Sequence, residues 1–199
     1  MKSYLKIIIF AVFIAFLQIP ISTTTAAPIR LCTLPIIIAK HTEVSSDTLA
    51  QMQVKIARSL FVPLNGTLNK VEYIPSNQST DVLQEIWSGF YNTNRMARLS
   101  DTLKPLAQRL NADIVVCTVL YNCNQMTSMT FERGTHLVSN AGVEMMIFDN
   151  RTGRLTNRKI TRNYNDDYSQ YGTADALALD CLTKLIDELE LRKRVLNYD

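Results

Sequence analysis

The sequence contains little glycine and little proline, six residues of each among 199. So few turn-forming residues disfavour a many-stranded sandwich and a flexible linker protein. The closest two glycines in the sequence are Gly134 and Gly142. A P-loop and a Gly-rich dinucleotide loop are therefore excluded, because both need clustered glycines to bring backbone N–H groups against phosphate.

Histidine and cysteine are also scarce, with two histidines and four cysteines in the whole sequence. No two cysteines have the C-x-x-C spacing of a zinc site, and His41 and His136 lie far apart in the sequence. Structural zinc is normally held by closely spaced Cys and His ligands. The sequence therefore predicts no metal and no cofactor.

The first 26 residues have the features of a signal peptide. Lys2 and Lys6 supply positive charge, residues 7–20 are apolar except for Gln18, and small residues lead up to Ala26. This apolar run is shorter than the roughly 20 residues that span a bilayer. We predict cleavage after Ala26 and a periplasmic or secreted single domain at residues 27–199. An uncleaved N-terminal anchor is the alternative.

The charge balance gives little indication of a charged partner. The formal net charge is +3, and the leader accounts for two of the lysines. A nearly neutral mature chain offers no general attraction to nucleic acid or to an anionic membrane. We therefore expect no nucleic-acid partner and, after cleavage, no integral membrane anchor, and the oligomeric state stays open.

Hydrophobic spacing predicts an α/β (α+β) fold, a single two-layer domain with a mixed sheet of about five strands. The last three predicted strands form an antiparallel meander, and three or four helices cover the sheet. The predicted strands cover residues 31–39, 70–74, 113–126, 136–148 and 154–164. The predicted helices begin after Ser45 or Ser46, Ser79 or Thr80, Ser100 or Asp101, and Gly172-Thr173.

Three segments resemble those of a small α/β domain in bacterial envelope proteins. They are residues 106–116, where a helix ends before a strand, residues 143–155, a hairpin ending in Asp-x-x-Thr-Gly, and the amphipathic last helix. On these segments the chain resembles the N-terminal domain of the Tol-Pal propeller protein TolB and the curli-secretion channel protein CsgG. It also resembles the outer-membrane activators of penicillin-binding proteins. The resemblance implies a role in envelope binding or assembly, with no catalytic residues.

Arginines recur along the strand predicted at residues 154–164. Arg154, Arg158 and Arg162 alternate onto one face, and Arg151 lies in the preceding loop. A row of arginines can bind carboxylates or phosphates, and it can also simply protect an edge strand by charge. We predict that these four arginines bind a protein of the envelope.

An enzymatic function remains an alternative at two places. Cys123 and His136 would be nucleophile and base if the hairpin brought them together, and Asp166 and Asp167 form an acidic loop. No plausible nucleophile, base and orienting group occur together, so we predict that the protein is not an enzyme. A small-molecule binder, with its site between sheet and helices, is a third class of function.

An oxidising compartment and an even number of cysteines make disulfides plausible. Cys117 and Cys123 would lie about 20 Å apart along one straight strand, too far to bond each other. Cys32–Cys117 and Cys117–Cys181 are the two candidate pairings. Buried free thiols that act as small apolar residues are the alternative.

Overall fold

The computed structural model describes residues 27–61, 70–93, 97–131 and 134–196, so the predicted leader lies outside the described residues. The strands are β1 (Ile29–Thr33), β2 (Ile37–Ile38), β3 (Val71–Ile74), β4 (Ile114–Thr130), β5 (Gly134–Asp149) and β6 (Arg154–Asp166). The helices are α1 (Ser46–Ser59), α2 (Ser76–Asn92), α3 (Leu99–Leu110), α4 (Ala174–Glu188) and α5 (Leu191–Leu196).

These strands form one mixed sheet in the order β3-β1-β4-β5-β6, with β2 pairing with β4. Strand β1 is parallel to both β3 and β4, whereas β4, β5 and β6 form an antiparallel meander. The predicted fold class and the predicted meander are confirmed. Strand β6 is one edge of the sheet, and β3, with only four residues, is the other.

Helices pack on both faces of this sheet. On one face, Met52 of α1 and Leu182 of α4 pack in a cluster with Val116 of β4. On the other face, Ile86 of α2 and Leu106 of α3 belong to a second cluster. The helices therefore add one layer on each side of the sheet, giving three layers where the sequence predicted two.

The two faces separate because neighbouring residues of a strand point in opposite directions. Val115 and Val116 follow each other in β4, yet Val115 belongs to the α2–α3 cluster and Val116 to the α1–α4 cluster. Because this part of β4 is covered on both faces, its consecutive residues are apolar, and they do not alternate with polar residues as in a strand covered on one face. Within the described ranges, no helix has the length and apolar character needed to cross a bilayer.

Candidate functional site: the arginine edge strand

Strand β6 is positioned by the short loop that precedes it. The Asp149 carboxylate accepts hydrogen bonds from the backbone N–H groups of Arg151 and Thr152, at 3.0 and 3.1 Å. Gly153 takes a φ of +65°, which favours glycine, and Arg154 then pairs with Asp149. Local turn chemistry thus fixes the register of β6, whose 13 residues pair with β5 on one side only among the described strands.

The structure brings Arg154, Arg158 and Arg162 to the same face of β6. Arg158 lies opposite Met145 and Arg162 opposite Ala141, both of which belong to the α1–α4 cluster. The three arginines therefore face the side of the sheet on which α4 packs. Arg151 precedes them in the loop and is exposed.

Arg162 has a structural partner within the chain. Its Nε lies 2.9 Å from Oδ2 of Asp180 on α4, and Lys184 Nζ lies 3.7 Å from the same oxygen. Arg162 thus joins β6 to α4. Arg154 and Arg158 are exposed and have no ion pair within the described part of the chain, so these two cations can meet an external partner.

The opposite face of β6 carries a polar cluster that the sequence did not predict. The ammonium of Lys159 lies 3.6 Å from the centre of the Tyr121 ring, and the Tyr121 hydroxyl lies 2.5 Å from that of Thr161. Asn157 donates to Glu144 at 2.6 Å. These contacts join β6 to β4 and β5, and among the described residues no strand pairs with the outer backbone edge of β6.

The proposed pair of Cys123 and His136 does not form. Cys123 lies opposite Ala141, and His136 lies five residues from Ala141 along β5, a separation of about 17 Å. Burial also raises the pKa of Cys123 to about 11, whereas a nucleophilic thiol needs a lowered pKa. The alternative in which the hairpin brings Cys123 and His136 together does not fit this structure, because the strands run on to Thr130 and Gly134 and His136 lies opposite Ser128.

Asp166 is the last residue of β6 and Asp167 follows it, and both take part in local turn hydrogen bonds. Asp166 Oδ1 accepts from the N–H of Asp167 at 2.9 Å, and the Tyr164 hydroxyl donates to the Asp167 carbonyl at 2.6 Å. Among the described residues, no group of three or more His, Cys, Asp or Glu is placed to hold a metal ion.

All four cysteines are buried free thiols in this structure. Cys32 and Cys117 lie in the α2–α3 cluster, whereas Cys123 and Cys181 lie in the α1–α4 cluster. The sheet separates Cys117 from Cys181, so the candidate Cys117–Cys181 disulfide does not fit the fold. The Cys32–Cys117 pairing stays a prediction, since these residues share a face on adjacent strands.

Comparisons with known proteins find structural similarity only. No protein-family model matches the chain, and no curated protein does. Among solved structures, the chain is similar to the hypothetical protein CT253 from Chlamydia trachomatis, with 16% identity over 82% of this chain and 96% of that chain, and a TM-score of 0.47. Lipoprotein GNA1162 from Neisseria meningitidis has 13% identity over 82% and 99% of the two chains, and a TM-score of 0.38.

The C-terminal domain of LpoB from Salmonella enterica is a further match, with 11% identity over 70% of this chain and 86% of that chain, and a TM-score of 0.38. These similarities concern the fold alone. An LpoB domain and a lipoprotein are thus among the solved structures to which this chain is similar. The resemblance to TolB and CsgG stays a prediction.

Proposed function

We propose that this chain is an exported bacterial cell-envelope protein and a non-enzymatic binding or assembly module that captures a partner protein at β6. The main support is the long edge of β6, which no other strand of the described structure pairs with. Beside this edge, Arg154 and Arg158 are exposed and have no ion pair in the described structure. An edge strand presents unpaired backbone N–H and C=O groups to which an extended peptide can add.

The arginines would select the charge of the added strand. Arg154 and Arg158 are four residues apart on one face, hence about 13 Å apart along the strand. An added strand with acidic side chains at the matching spacing would place a carboxylate against each guanidinium. An acidic extended segment of another protein is therefore the partner with the best match.

A second copy of the same strand is a poor partner in two of the central registers. Antiparallel pairing of two β6 strands centred on Arg158 places Arg158 opposite itself and Arg154 opposite Arg162. Pairing centred on Lys159 places Lys159 opposite itself. Like charges directly opposite each other destabilise a strand pair, so the charges disfavour self-association in these two registers.

A defined peptide tests this proposal. We expect an extended peptide with glutamate at every fourth position to bind the mature chain, and its lysine counterpart to bind far more weakly. The double variant Arg154→Glu, Arg158→Glu should lose peptide binding in a fluorescence anisotropy titration. Its midpoint of thermal unfolding should stay close to that of the parent, because exposed charges contribute little to stability.

The matched control is Arg192→Glu on α5, which reverses an exposed arginine away from β6. This variant should bind the acidic peptide as the parent does. If the double variant binds the acidic peptide as well as the parent does, Arg154 and Arg158 are not the binding residues. If the parent does not bind the peptide at all, β6 does not recognise an acidic extended segment. Pull-down from envelope extract with parent and double variant then identifies the natural partner.

A further inference from the structure

The path of the chain opens a crevice between β1 and β3. From β1 the chain passes through β2 and α1 to reach β3, and α1 packs on one face of the sheet. From β3 it continues into α2, which packs on the opposite face. In open α/β sheets, ligands bind in the crevice at the carboxyl ends of adjacent parallel strands whose connections leave on opposite faces.

A cavity of about 330 Å³ lies at this point. Its apolar walls include Leu34, in the segment that follows β1, and Ile56 and Ala57 of α1. Thr33 and Tyr73, near the ends of β1 and β3, also line it. The volume is at the lower end of the range for small-molecule sites.

The polar side chains that line the cavity are uncharged, and they are Thr33, Gln53, Tyr73 and Ser76. Thr33 Oγ1 and Tyr73 Oη are hydrogen-bonded to each other across the two strands. One of these hydroxyls donates to the other, so a single hydroxyl hydrogen and free oxygen lone pairs remain for a further partner. No residue that lines the cavity carries a formal charge.

We propose that this cavity binds a small, uncharged, mainly apolar molecule that carries one hydrogen-bonding group. Its apolar part would replace water against Leu34, Ile56 and Ala57, and its polar group would bind the Thr33–Tyr73 hydroxyl pair. An ionised ligand is disfavoured, because the cavity offers no opposite charge to offset desolvation. This site is separate from the β6 edge and does not depend on the function proposed for it.

The neutral fluorescent amine N-phenylnaphthylamine is a suitable probe, since it is apolar and has one N–H donor. We expect its emission to rise when it is titrated into the mature chain. Ala57→Leu places a larger side chain in the cavity and should abolish the rise. The double variant Thr33→Val, Tyr73→Phe removes both hydroxyls and should weaken binding about fivefold, the effect of one hydrogen bond.

The matched control for Ala57→Leu is Val54→Leu, because Val54 lies on the same helix but is exposed and does not line the cavity. Val54→Leu should bind the probe as the parent does, and thermal unfolding should show that each variant is folded. The proposal is overturned if the parent does not bind the probe. It is also overturned if folded Ala57→Leu retains the affinity of the parent.

Discussion

The ring of Tyr121 lies across Gly142, in the space that a side chain at position 142 would occupy. A Cβ built on Gly142 would lie 2.3 Å from Cζ of Tyr121. Beyond the glycine, the Tyr121 hydroxyl bonds with that of Thr161 on β6. One side chain of β4 thus crosses β5 and reaches β6, and it covers the backbone that a strand glycine leaves bare.

This relationship predicts coupled effects of substitution. Gly142→Ala should lower the free energy of unfolding by about 1–3 kcal/mol, because the added methyl group displaces the ring and breaks its bond with Thr161. In a Tyr121→Ala background the same substitution should be neutral or stabilising, since the space is then empty. Urea denaturation of the four proteins measures the coupling as a double-mutant cycle.

Gly89→Ala provides the control for this cycle. Gly89 lies within α2, and a Cβ there would meet nothing within 4 Å. This substitution should raise the free energy of unfolding by about 0.5–1 kcal/mol, as expected for alanine within a helix. Additive effects of Tyr121→Ala and Gly142→Ala would show that the ring does not rest on the glycine.

Part of this fold could be predicted because its signals are local. The turn at Asp149 and Gly153 is specified by a side-chain acceptor and a residue that tolerates positive φ. Helix α1 begins where Ser45 accepts the N–H of Thr48, the hydrogen bond that an N-cap serine usually makes. Such signals depend only on nearby residues.

The start of α2 shows where local signals were ambiguous. The sequence predicted Ser79 or Thr80 as the cap, but the helix begins at Ser76, and the Pro75 carbonyl accepts the N–H of Ser79. Ser79 is fully buried inside the helix, with its hydroxyl donating to the Ser76 carbonyl. Residues 76–80 contain several side chains that could cap a helix, and tertiary packing decides where the helix begins.

At the candidate site, prediction from the sequence was limited because the roles of some residues depend on long-range packing. Alternation along β6 places the arginines on one face, but the role of Arg162 depends on Asp180, which only the docking of α4 brings near. The assignment of each cysteine to a face likewise depends on which helices cover which side. Sequence spacing along one element does not contain this information.

The packing of α4 predicts a large effect at Leu182, which is fully buried. Leu182→Ala should lower the free energy of unfolding by about 2–5 kcal/mol, the cost of a deletion in a close-packed core. Leu155→Ala on β6 is the control, because Leu155 is 39% exposed. A loss below about 1 kcal/mol at Leu182 would contradict the position of α4 on the sheet.

Export predicts a defined N-terminus. If the leader is cleaved after Ala26, Edman sequencing of the mature protein should read Ala-Pro-Ile-Arg. The charge, the apolar run and the small residues occur in the order that signal peptidase requires. Recovery of the protein with residues 1–26 attached in the membrane fraction would favour the uncleaved anchor, and recovery from the cytoplasm would refute export.

The buried thiols predict a loss of stability at high pH. Burial raises the pKa of Cys117 to about 12 and that of Cys32 to about 11, from an ordinary value of 9.0. The native thiols should therefore not react with Ellman's reagent near neutral pH. Above pH 9 the unfolded chain releases thiol protons that the folded chain retains, so the free energy of unfolding falls between pH 9 and about 11.

Urea denaturation under reducing conditions at pH 8 and pH 10 checks the sign of this change. Lysines and tyrosines also titrate in this range, so the informative quantity is the difference between the parent and Cys117→Ala. The parent should lose more stability than the variant, by at most about 1.4 kcal/mol per pH unit for this one thiol. Equal losses in both proteins would show that the Cys117 thiol ionises as readily in the folded chain as in the unfolded one. Burial within the α2–α3 cluster would then not govern its reactivity.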